Sequence, residues 1–162
     1  MNFVEGFTIR CIEPGDLDGV VDLAADAGEA PRWGREEYEQ IMLTKGPLLR
    51  CGLVALWSDQ LSGVAVVSYL PLESAAELEG LAVDPAYRRR GMGKALVEAC
   101  VAWAAKAGAS AIRLEVRASN SAAIALYRQQ GFSVTDTRRD YYSAPQEDAL
   151  LLETALEGGL PL

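Results

Sequence analysis

Arginine and glycine are concentrated in a short segment that joins a predicted strand to a predicted helix. Residues 88–94 read Arg-Arg-Arg-Gly-Met-Gly-Lys and hold four of the 15 basic residues of the chain. Glycines at the start of a helix let backbone N–H groups surround an anion, and the helix dipole with nearby arginines favours a phosphate group there. The dinucleotide fingerprint Gly-x-Gly-x-x-Gly is incomplete, because Leu96 stands where its third glycine is required. The segment therefore predicts a phosphate-binding junction of another kind.

Strand and helix patterns alternate along the whole chain, without repeats or low-complexity tracts. They predict a single α+β domain over residues 1–162, with a mixed, largely antiparallel central sheet flanked by helices. The predicted strands are 8–12, 49–57, 61–70, 77–83, 111–117, 132–135 and 149–154, and the predicted helices are 17–24, 35–44, 94–107 and 121–130. Asp16 and Asn120 are expected to cap helices, Gly108 to follow a helix end, and Gly80 to mark a bulge or a close backbone approach. Residues 141–145 are expected to form the loop between the last two strands.

Composition excludes several classes of chemistry. The chain has no histidine, which excludes Ser-His-Asp hydrolysis and every metal site with an imidazole ligand. The three cysteines have no Cys-x-x-Cys spacing, so we expect reduced thiols and no metal site. The net charge of −8 disfavours nucleic acid and anionic lipid, and no apolar run approaches the ~20 residues that cross a membrane. With no export signal among the first residues, we expect a cytoplasmic protein with neither a nucleic-acid nor a membrane partner.

The arginine and glycine segment also resembles a known family. Residues 81–93 are similar to the acetyl-CoA signature of the GNAT superfamily of N-acetyltransferases, Gln/Arg-x-x-Gly-x-Gly/Ala after a strand, with matches at Arg88, Gly91 and Gly93. The downstream sequence is similar to the bacterial ribosomal protein alanine N-acetyltransferases, in residues 114–120, 122–127, 131–132, 138–142 and 147–149. This resemblance is fairly continuous from about residue 77 to residue 156. The first half fits only the general plan of the family, and residues 31–34 are only loosely similar to the Phe-Pro-Trp-Ser of that subfamily.

The resemblance implies a GNAT-type domain that uses acetyl-CoA as cosubstrate and transfers the acetyl group directly in a ternary complex. It implies that acetyl-CoA contacts Leu81, Ala82, Val83, Arg88, Arg89, Arg90, Gly91, Met92, Gly93, Lys94 and Asn120. By the same resemblance Glu115 is the base that takes the amine proton, and Tyr127 is the acid that protonates the departing sulfur. Residues expected to contact the acceptor are Trp33, Glu79, Tyr141 and Tyr142. Glu77 and Glu79, on the preceding strand, remain alternative bases.

The resemblance further implies that the acceptor is the N-terminal amine of a protein, with a basic ribosomal protein as the expected partner of this acidic chain. Two alternatives stay open. The divergent first half, which forms one wall of the acceptor site in this fold, leaves room for a small amine such as a polyamine, an antibiotic or an amino acid. The second alternative is a CoA-binding module without catalytic turnover, although binding alone requires neither Glu115 nor Tyr127.

Overall fold

A computed structural model of the chain describes residues 2–4, 6–26, 33–43 and 45–157. Within these residues the strands are β1 (Asn2–Val4), β2 (Phe7–Cys11), β3 (Leu49–Trp57), β4 (Gln60–Tyr69), β5 (Ala75–Val83), β6 (Ala111–Arg117), β7 (Ser133–Tyr142) and β8 (Glu147–Ala155). The α-helices are α1 (Leu17–Asp26), α2 (Arg35–Met42), α3 (Met92–Ala107) and α4 (Ser121–Gln129). Single 3₁₀ turns at Pro14–Asp16 and Pro85–Tyr87 precede α1 and α3.

The eight described strands form one sheet in the order β1-β2-β3-β4-β5-β6-β8-β7. Neighbouring strands are antiparallel except β5 and β6, which run parallel and are connected through α3. The expected mixed and largely antiparallel sheet, flanked by helices, is therefore confirmed. Among the described residues, no helix is both long and apolar enough to cross a membrane.

Helices cover both faces of the sheet, and each face has its own apolar core. Under α3, the fully buried Leu96, Val97 and Cys100 belong to one cluster with strand residues such as Val67 and Ile112. On the opposite face, a second cluster joins α1 and α2 to β3 and β4. Burying a side chain such as Leu96 stabilises the fold by roughly 1.5–3 kcal/mol. Because β3, β4 and β5 each supply residues to both clusters, these three strands lie at the centre of the packing.

Glycines mark both ends of α3. Gly91 precedes the first turn with φ +81°, and Gly108 follows the last turn with φ +104°, a left-handed conformation that side chains disfavour. The N–H of Gly108 bonds back to the carbonyls of Ala104 and Ala105, which completes the last turn. The predicted helix end at Gly108 is confirmed, and the helix begins two residues earlier than expected, at Met92.

The last two strands differ most from the sequence-based expectation. β7 continues to Tyr142 and β8 begins at Glu147, so the expected loop at residues 141–145 is wrong: residues 141 and 142 lie in a strand. β7 is an edge strand whose side chains are exposed from Ser133 to Tyr141, and it therefore lacks the alternation that identifies a half-buried strand.

Smaller differences occur in the first half of the chain. Asp16 directly precedes α1 and lies in a 3₁₀ turn, where its carboxylate binds Arg10 with contacts of 2.7 and 3.0 Å. β1 was not predicted, because three residues are too short for a periodic pattern. α2 ends at Met42, and the expected last residue Thr44 lies outside the described residues, as do Pro31 and Arg32.

Candidate functional site

A cleft opens between β5 and β6 because the two strands pair along only part of their length. Their parallel register contains three pairs, the last of which joins Glu77 to Arg113. Beyond that pair, β5 follows β4 as far as Val83, while β6 follows β8 as far as Arg117. Among the residues that the structure describes, the facing edges of the two strands therefore have no strand partner over residues 78–83 and 114–117. An extended ligand with amide groups can pair with such an edge.

A β-bulge on β5 accompanies this divergence. Val67 lies opposite Leu78 and Val66 lies opposite Gly80, so Glu79 is the extra residue. A bulge bends its strand and increases the local twist, which carries the end of β5 away from β6. The sequence placed the irregularity at Gly80, and the structure places the extra residue one position earlier.

The side chain of Glu79 is held by a bidentate ion pair. Arg50 donates two hydrogen bonds to its carboxylate, from Nε at 2.9 Å and from Nη2 at 3.0 Å, and both side chains are mostly buried. The guanidinium of Arg50 also lies over the Trp33 ring, with Cζ 5.5 Å from the ring centroid. Sequence reasoning missed Arg50, because nothing near it indicates a partner 29 residues away. The Glu79 carboxylate is therefore already paired with Arg50, which makes Glu79 a poor candidate for the base.

The entrance to α3 presents a row of unpaired backbone amides. The first helical hydrogen bond runs from the N–H of Ala95 to the carbonyl of Gly91, at 3.0 Å. No backbone bond within the described chain uses the N–H groups of residues 89–94. Arg89 (φ +64°) and Gly91 (φ +81°) both adopt the left-handed conformation, and alternation of this kind forms anion-binding concavities.

The residues around this entrance are mostly exposed, and one of them is buried in the core. Arg88, Arg89, Arg90, Gly91 and Lys94 are exposed, whereas the side chain of Met92 is fully buried in the core. The guanidinium of Arg90 lies over Trp57, with Cζ 4.7 Å from the ring centroid. Met92 can therefore contribute its amide to an anion site but not its side chain.

Asn120 and Tyr127 lie at the start and in the last turns of α4. The Asn120 side-chain oxygen accepts a hydrogen bond of 3.1 Å from the N–H of Ala123, so its expected role as a helix cap is confirmed. Tyr127 is only 7% exposed and packs against Phe132, with ring centroids 5.7 Å apart. Burial, with smaller contributions from Cys100 and Tyr142, raises the pKa of the Tyr127 hydroxyl well above its ordinary value. Tyr127 therefore carries its proton at neutral pH.

Glu115 and Tyr127 lie on opposite faces of the sheet. The neighbours of Glu115 on β6, Leu114 and Val116, point into the core under α3, and alternation along the strand directs Glu115 to the other face. Tyr127 belongs to the core under α3. The cleft between β5 and β6 therefore has a carboxylate on one side and a phenol on the other.

Charged side chains surround Glu115 on its face of the sheet. Nη2 of Arg138, on β7, lies 3.7 Å from a Glu115 oxygen. A hydrogen bond to Glu115 is the main cause that raises the pKa of Tyr141. Partial burial raises the pKa of Glu77, and the charges of Glu79 and Glu115 add to that increase. Glu79 and Glu115 thus both lie close enough to Glu77 to affect its pKa, at the point where β5 and β6 separate.

The β7–β8 hairpin is attached to the loop between β6 and α4 through Glu147. One Glu147 oxygen accepts a bond of 2.6 Å from the N–H of Ser119, and the other lies 3.3 Å from Nη1 of Arg117. Arg117 also lies under Tyr142, with Cζ 4.4 Å from the ring centroid, and the Tyr142 ring meets Tyr141 edge-on at 5.1 Å. The expected acceptor residue Tyr142 thereby lies beside Arg117 at the end of β6, with Tyr141 next to it. Trp33 and Glu79 lie together on the same face, beside Arg50.

Cys51 and Cys100 do not offer an activated nucleophile. Cys100 is fully buried, and burial raises the pKa of its thiol. Burial also raises the pKa of Cys51, to about 12. Both thiols are therefore protonated at neutral pH, when only the thiolate is strongly nucleophilic.

Comparison with known proteins identifies the class to which this fold and cleft belong. Residues 18–132 match the profile of the Acetyltransferase (GNAT) family, and the chain belongs to that family. It is similar to the ribosomal protein bS18-alanine N-acetyltransferase of Escherichia coli strain K12, with 47% identity over 79 residues. That alignment covers 48% of this chain and 53% of the relative, so the matched part spans about half the length of the curated relative.

Solved structures extend the likeness to nearly the whole chain. The crystal structure of the ribosomal-protein-S18-alanine N-acetyltransferase from Escherichia coli superimposes with a TM-score of 0.76 at 30% identity, covering 93% of this chain and 94% of that chain. Arabidopsis thaliana NAA60 in complex with acetyl-CoA gives a TM-score of 0.79 at 20% identity, covering 94% and 99%, and shares the fold.

Proposed function

We propose that this N-acetyltransferase transfers the acetyl group of acetyl-CoA directly to the N-terminal amine of a protein. The observation that carries the proposal is the cleft between β5 and β6, with Glu115 on one face and a protonated Tyr127 on the other. The likeness to ribosomal protein alanine N-acetyltransferases supports the same reaction. We further propose that residues 1–162 act as one N-acetyltransferase domain in the cytoplasm.

The residues of the cleft fit the chemical groups of acetyl-CoA. A pyrophosphate matches the free amides of residues 89–94 and the exposed arginines Arg88 and Arg89. The pantetheine arm, which carries amide groups, matches the unpaired edge of β5 at Leu81, Ala82 and Val83. The side-chain oxygen of Asn120 caps α4, and its amide nitrogen would bind this arm. The Arabidopsis neighbour with the same fold was solved with acetyl-CoA, which supports this cosubstrate.

Two side chains move protons during the transfer. A bond forms between the acceptor nitrogen and the acetyl carbon, and the bond from that carbon to sulfur breaks. Glu115 takes the proton that the amine loses, and Tyr127 donates its hydroxyl proton to the departing thiolate. Each such role contributes typically ~10²–10⁴ in rate. The protonated state of Cys51 and Cys100 supports direct transfer rather than an acetyl-cysteine intermediate.

Proton chemistry favours an N-terminal amine over a lysine side chain. An α-amino group has a pKa of about 8 and a lysine about 10.4, so the lysine costs about 3 kcal/mol more to deprotonate at neutral pH. Trp33 on one side of the site, and Tyr141 and Tyr142 on the other, would contact the residues that follow the amine. An acidic chain and a basic ribosomal protein have complementary charges, which supports such a partner.

To test this proposal, purified protein is incubated with acetyl-CoA and a panel of amines, and the acetylated products are identified by mass spectrometry. Peptides that begin with alanine and copy ribosomal N-termini should be acetylated on the α-amine. The same peptides blocked at that amine but containing lysine should not react. Glu115→Gln and Tyr127→Phe should each lower kcat by about 10²-fold, with the affinity for acetyl-CoA nearly unchanged, because both groups act on charge that develops during transfer.

Two results would contradict the proposal. Efficient turnover of spermidine or an aminoglycoside, without peptide activity, would assign the protein to small-amine acetylation. A nearly fully active Glu115→Gln variant would move the base elsewhere, with Glu77 as the next residue to test because Glu79 is paired with Arg50.

A further inference from the structure

We propose that Arg50 is a positioning residue for acetyl-CoA: by holding the Glu79 carboxylate, it fixes the bulge of β5 and the strand edge that follows the bulge. This inference rests on the proposed pairing of acetyl-CoA with that edge, at Leu81, Ala82 and Val83. In this role Arg50 acts only through Glu79 and contacts neither acetyl-CoA nor the acceptor.

The sheet itself does not hold Glu79 in place. Glu79 is the extra residue of the bulge, and among residues 77–83 of β5 it alone has no partner on β4 in the described sheet. An extra residue interrupts the ladder and bends its strand. The position of the bulge therefore determines where the amides of residues 81–83 lie relative to β6.

The ion pair of Arg50 and Glu79 spans three strands. Arg50 lies on β3 opposite Ser68 of β4, and its side chain crosses β4 to reach Glu79 on β5. Nε and Nη2 bond to different oxygens of the carboxylate, at 2.9 and 3.0 Å. A planar fork that binds both oxygens fixes the orientation of the carboxylate as well as its distance. The side chains are only 24% and 21% exposed, so water competes little for these bonds.

Aromatic contacts connect Arg50 to the core under α1 and α2. The Arg50 guanidinium lies over the Trp33 ring, and Trp33 meets Tyr38 edge-on with ring centroids 5.6 Å apart. Tyr38, on α2, is only 2% exposed and belongs to that core. The bulge is thus connected to the core through a series of side chains, in which Arg50 is the member that bonds to β5.

The charges near Glu79 make its partner important. Glu77 lies two positions earlier on β5, and its pKa is raised by burial and then by the charge of Glu79. Without Arg50, the Glu79 carboxylate would be partly buried close to another acidic side chain and without a cation. Removing one member of a buried ion pair is costly because the other charge stays behind uncompensated. We therefore expect the loss of Arg50 to displace Glu79 and the bulge with it.

The first test measures acetyl-CoA affinity in Arg50 variants by calorimetric titration. Arg50→Met should weaken binding by about tenfold, the size of effect typical for coupled neighbours, and should raise KM for acetyl-CoA. Arg50→Lys keeps the charge but not the planar fork, so it should also weaken binding. Adding Glu79→Gln to Arg50→Met should produce no further loss, because Arg50 acts only through Glu79. This double variant leaves no uncompensated charge, and with Arg50→Lys it provides the test if Arg50→Met does not fold.

The chain offers a matched control in a second bidentate pair. Arg10, on β2, binds Asp16 at 2.7 and 3.0 Å, and their side chains are 23% and 11% exposed. Arg10→Met therefore removes a similar interaction from a part of the sheet that lies beyond β3 from the cleft. It should lower Tm as Arg50→Met does but leave the affinity for acetyl-CoA unchanged. A purely structural role for Arg50 would give the two variants the same result.

Amide hydrogen exchange tests the strand edge directly. In NMR exchange measurements on the wild type, acetyl-CoA should slow the exchange of the amides of residues 81–83 that face the cleft. At saturating acetyl-CoA, Arg50→Met should show weaker protection of these amides, because the edge is no longer held in register with the ligand. Arg10→Met should show the same protection as the wild type.

The outcomes separate this inference from the proposed function. Wild-type affinity in folded Arg50→Met overturns the inference, and wild-type affinity in Arg50→Lys shows that charge alone matters and also overturns it. A rise only in KM for the peptide would mean that Arg50 serves the acceptor instead. If acetyl-CoA does not protect residues 81–83 in the wild type, the proposed pairing fails and the inference with it. The proposed proton transfers by Glu115 and Tyr127 stand whatever the Arg50 variants do.

Discussion

Gly91 and Gly93 lie two positions apart at the entrance of α3 and are constrained for different reasons. A Cβ atom added to Gly91 would meet no atom within 4 Å, but the residue has φ +81°. A Cβ added to Gly93 would lie 3.3 Å from a methyl group of Leu126, which ties this position to the packing of α4. The constraint at Gly91 is therefore its backbone angle, and at Gly93 it is the available space.

This difference predicts how Gly91 variants bind acetyl-CoA. Gly91→Val should lower the affinity about tenfold or more, because holding a β-branched residue in the left-handed region costs about 1–2 kcal/mol. Gly91→Asn should stay within a few-fold of the wild type, since asparagine tolerates this region. Calorimetric titration measures both affinities, and circular dichroism checks that the fold persists. Equal affinity for both variants would show that the backbone angle is unimportant for binding.

Individual residues of the site differ in how far the sequence could predict them. Glu115 and Tyr127 lie in short motifs that resemble the family, and the structure places them at one cleft. Arg50 has no motif: it becomes part of the site because β3, β4 and β5 are neighbours and because the bulge at Glu79 directs that carboxylate to it. A contact between residues so far apart in the chain depends on sheet register, which the local pattern does not contain.

Among the elements, β6 and β7 show where periodicity succeeds and where it fails. The bounds of β6, Ala111–Arg117, were predicted correctly because buried and partly exposed residues alternate along it. β7 was predicted only as far as residue 135, since an exposed edge strand with two irregularities has no such alternation. The part that was missed carries Arg138, Tyr141 and Tyr142, so the acceptor side of the site was the least predictable from sequence.

The contacts of Glu147 with Ser119 and Arg117 are strongest when its carboxylate is ionised. The hydrogen bond from Ser119 is the main cause that lowers the pKa of Glu147, and Arg117 lowers it further. A folded-state pKa below the unfolded value stabilises the fold above that unfolded value, which is about 4.3 for glutamate, and the stabilisation is lost as the pH falls through the folded pKa. Ionised Glu147 therefore contributes to the stability of the fold at neutral pH, and this contribution is lost in acid.

Replacement by glutamine should reveal this dependence. Glu147→Gln should have a lower Tm than the wild type near pH 7. The difference should shrink as the pH falls below the unfolded pKa of about 4.3 and vanish below the folded pKa. Thermal unfolding followed by circular dichroism across this range measures it. The partly exposed Glu39, which pairs with Arg35, is replaced by Gln as the control for loss of a surface carboxylate, and its effect should be small throughout. A Tm difference independent of pH would indicate that the effect of the substitution does not depend on the negative charge of Glu147.

At the scale of the whole molecule, the net charge of −8 should affect the capture of a basic acceptor. For two peptides with the same N-terminal alanine, one with basic and one with neutral following residues, KM should be lower for the basic peptide at low salt. Raising the ionic strength from about 0.05 M to about 0.5 M should remove most of that advantage, because the Debye length shortens severalfold. Steady-state kinetics at several salt concentrations measure it. Equal, salt-independent KM values would exclude electrostatic selection of the acceptor.

The three residue pairs between β5 and β6 are the strand pairing that joins β1–β5 to β6–β8 in the described sheet. A ligand that fills the remainder of the cleft would contact both β5 and β6 and so connect the two halves of the sheet. Binding to the native state alone stabilises it by RT ln(1 + [L]/Kd), about 2.7 kcal/mol at a hundredfold excess over Kd. Degradation in cells follows the fraction of unfolded chain, so the lifetime of this protein would depend on the supply of the molecule that it consumes.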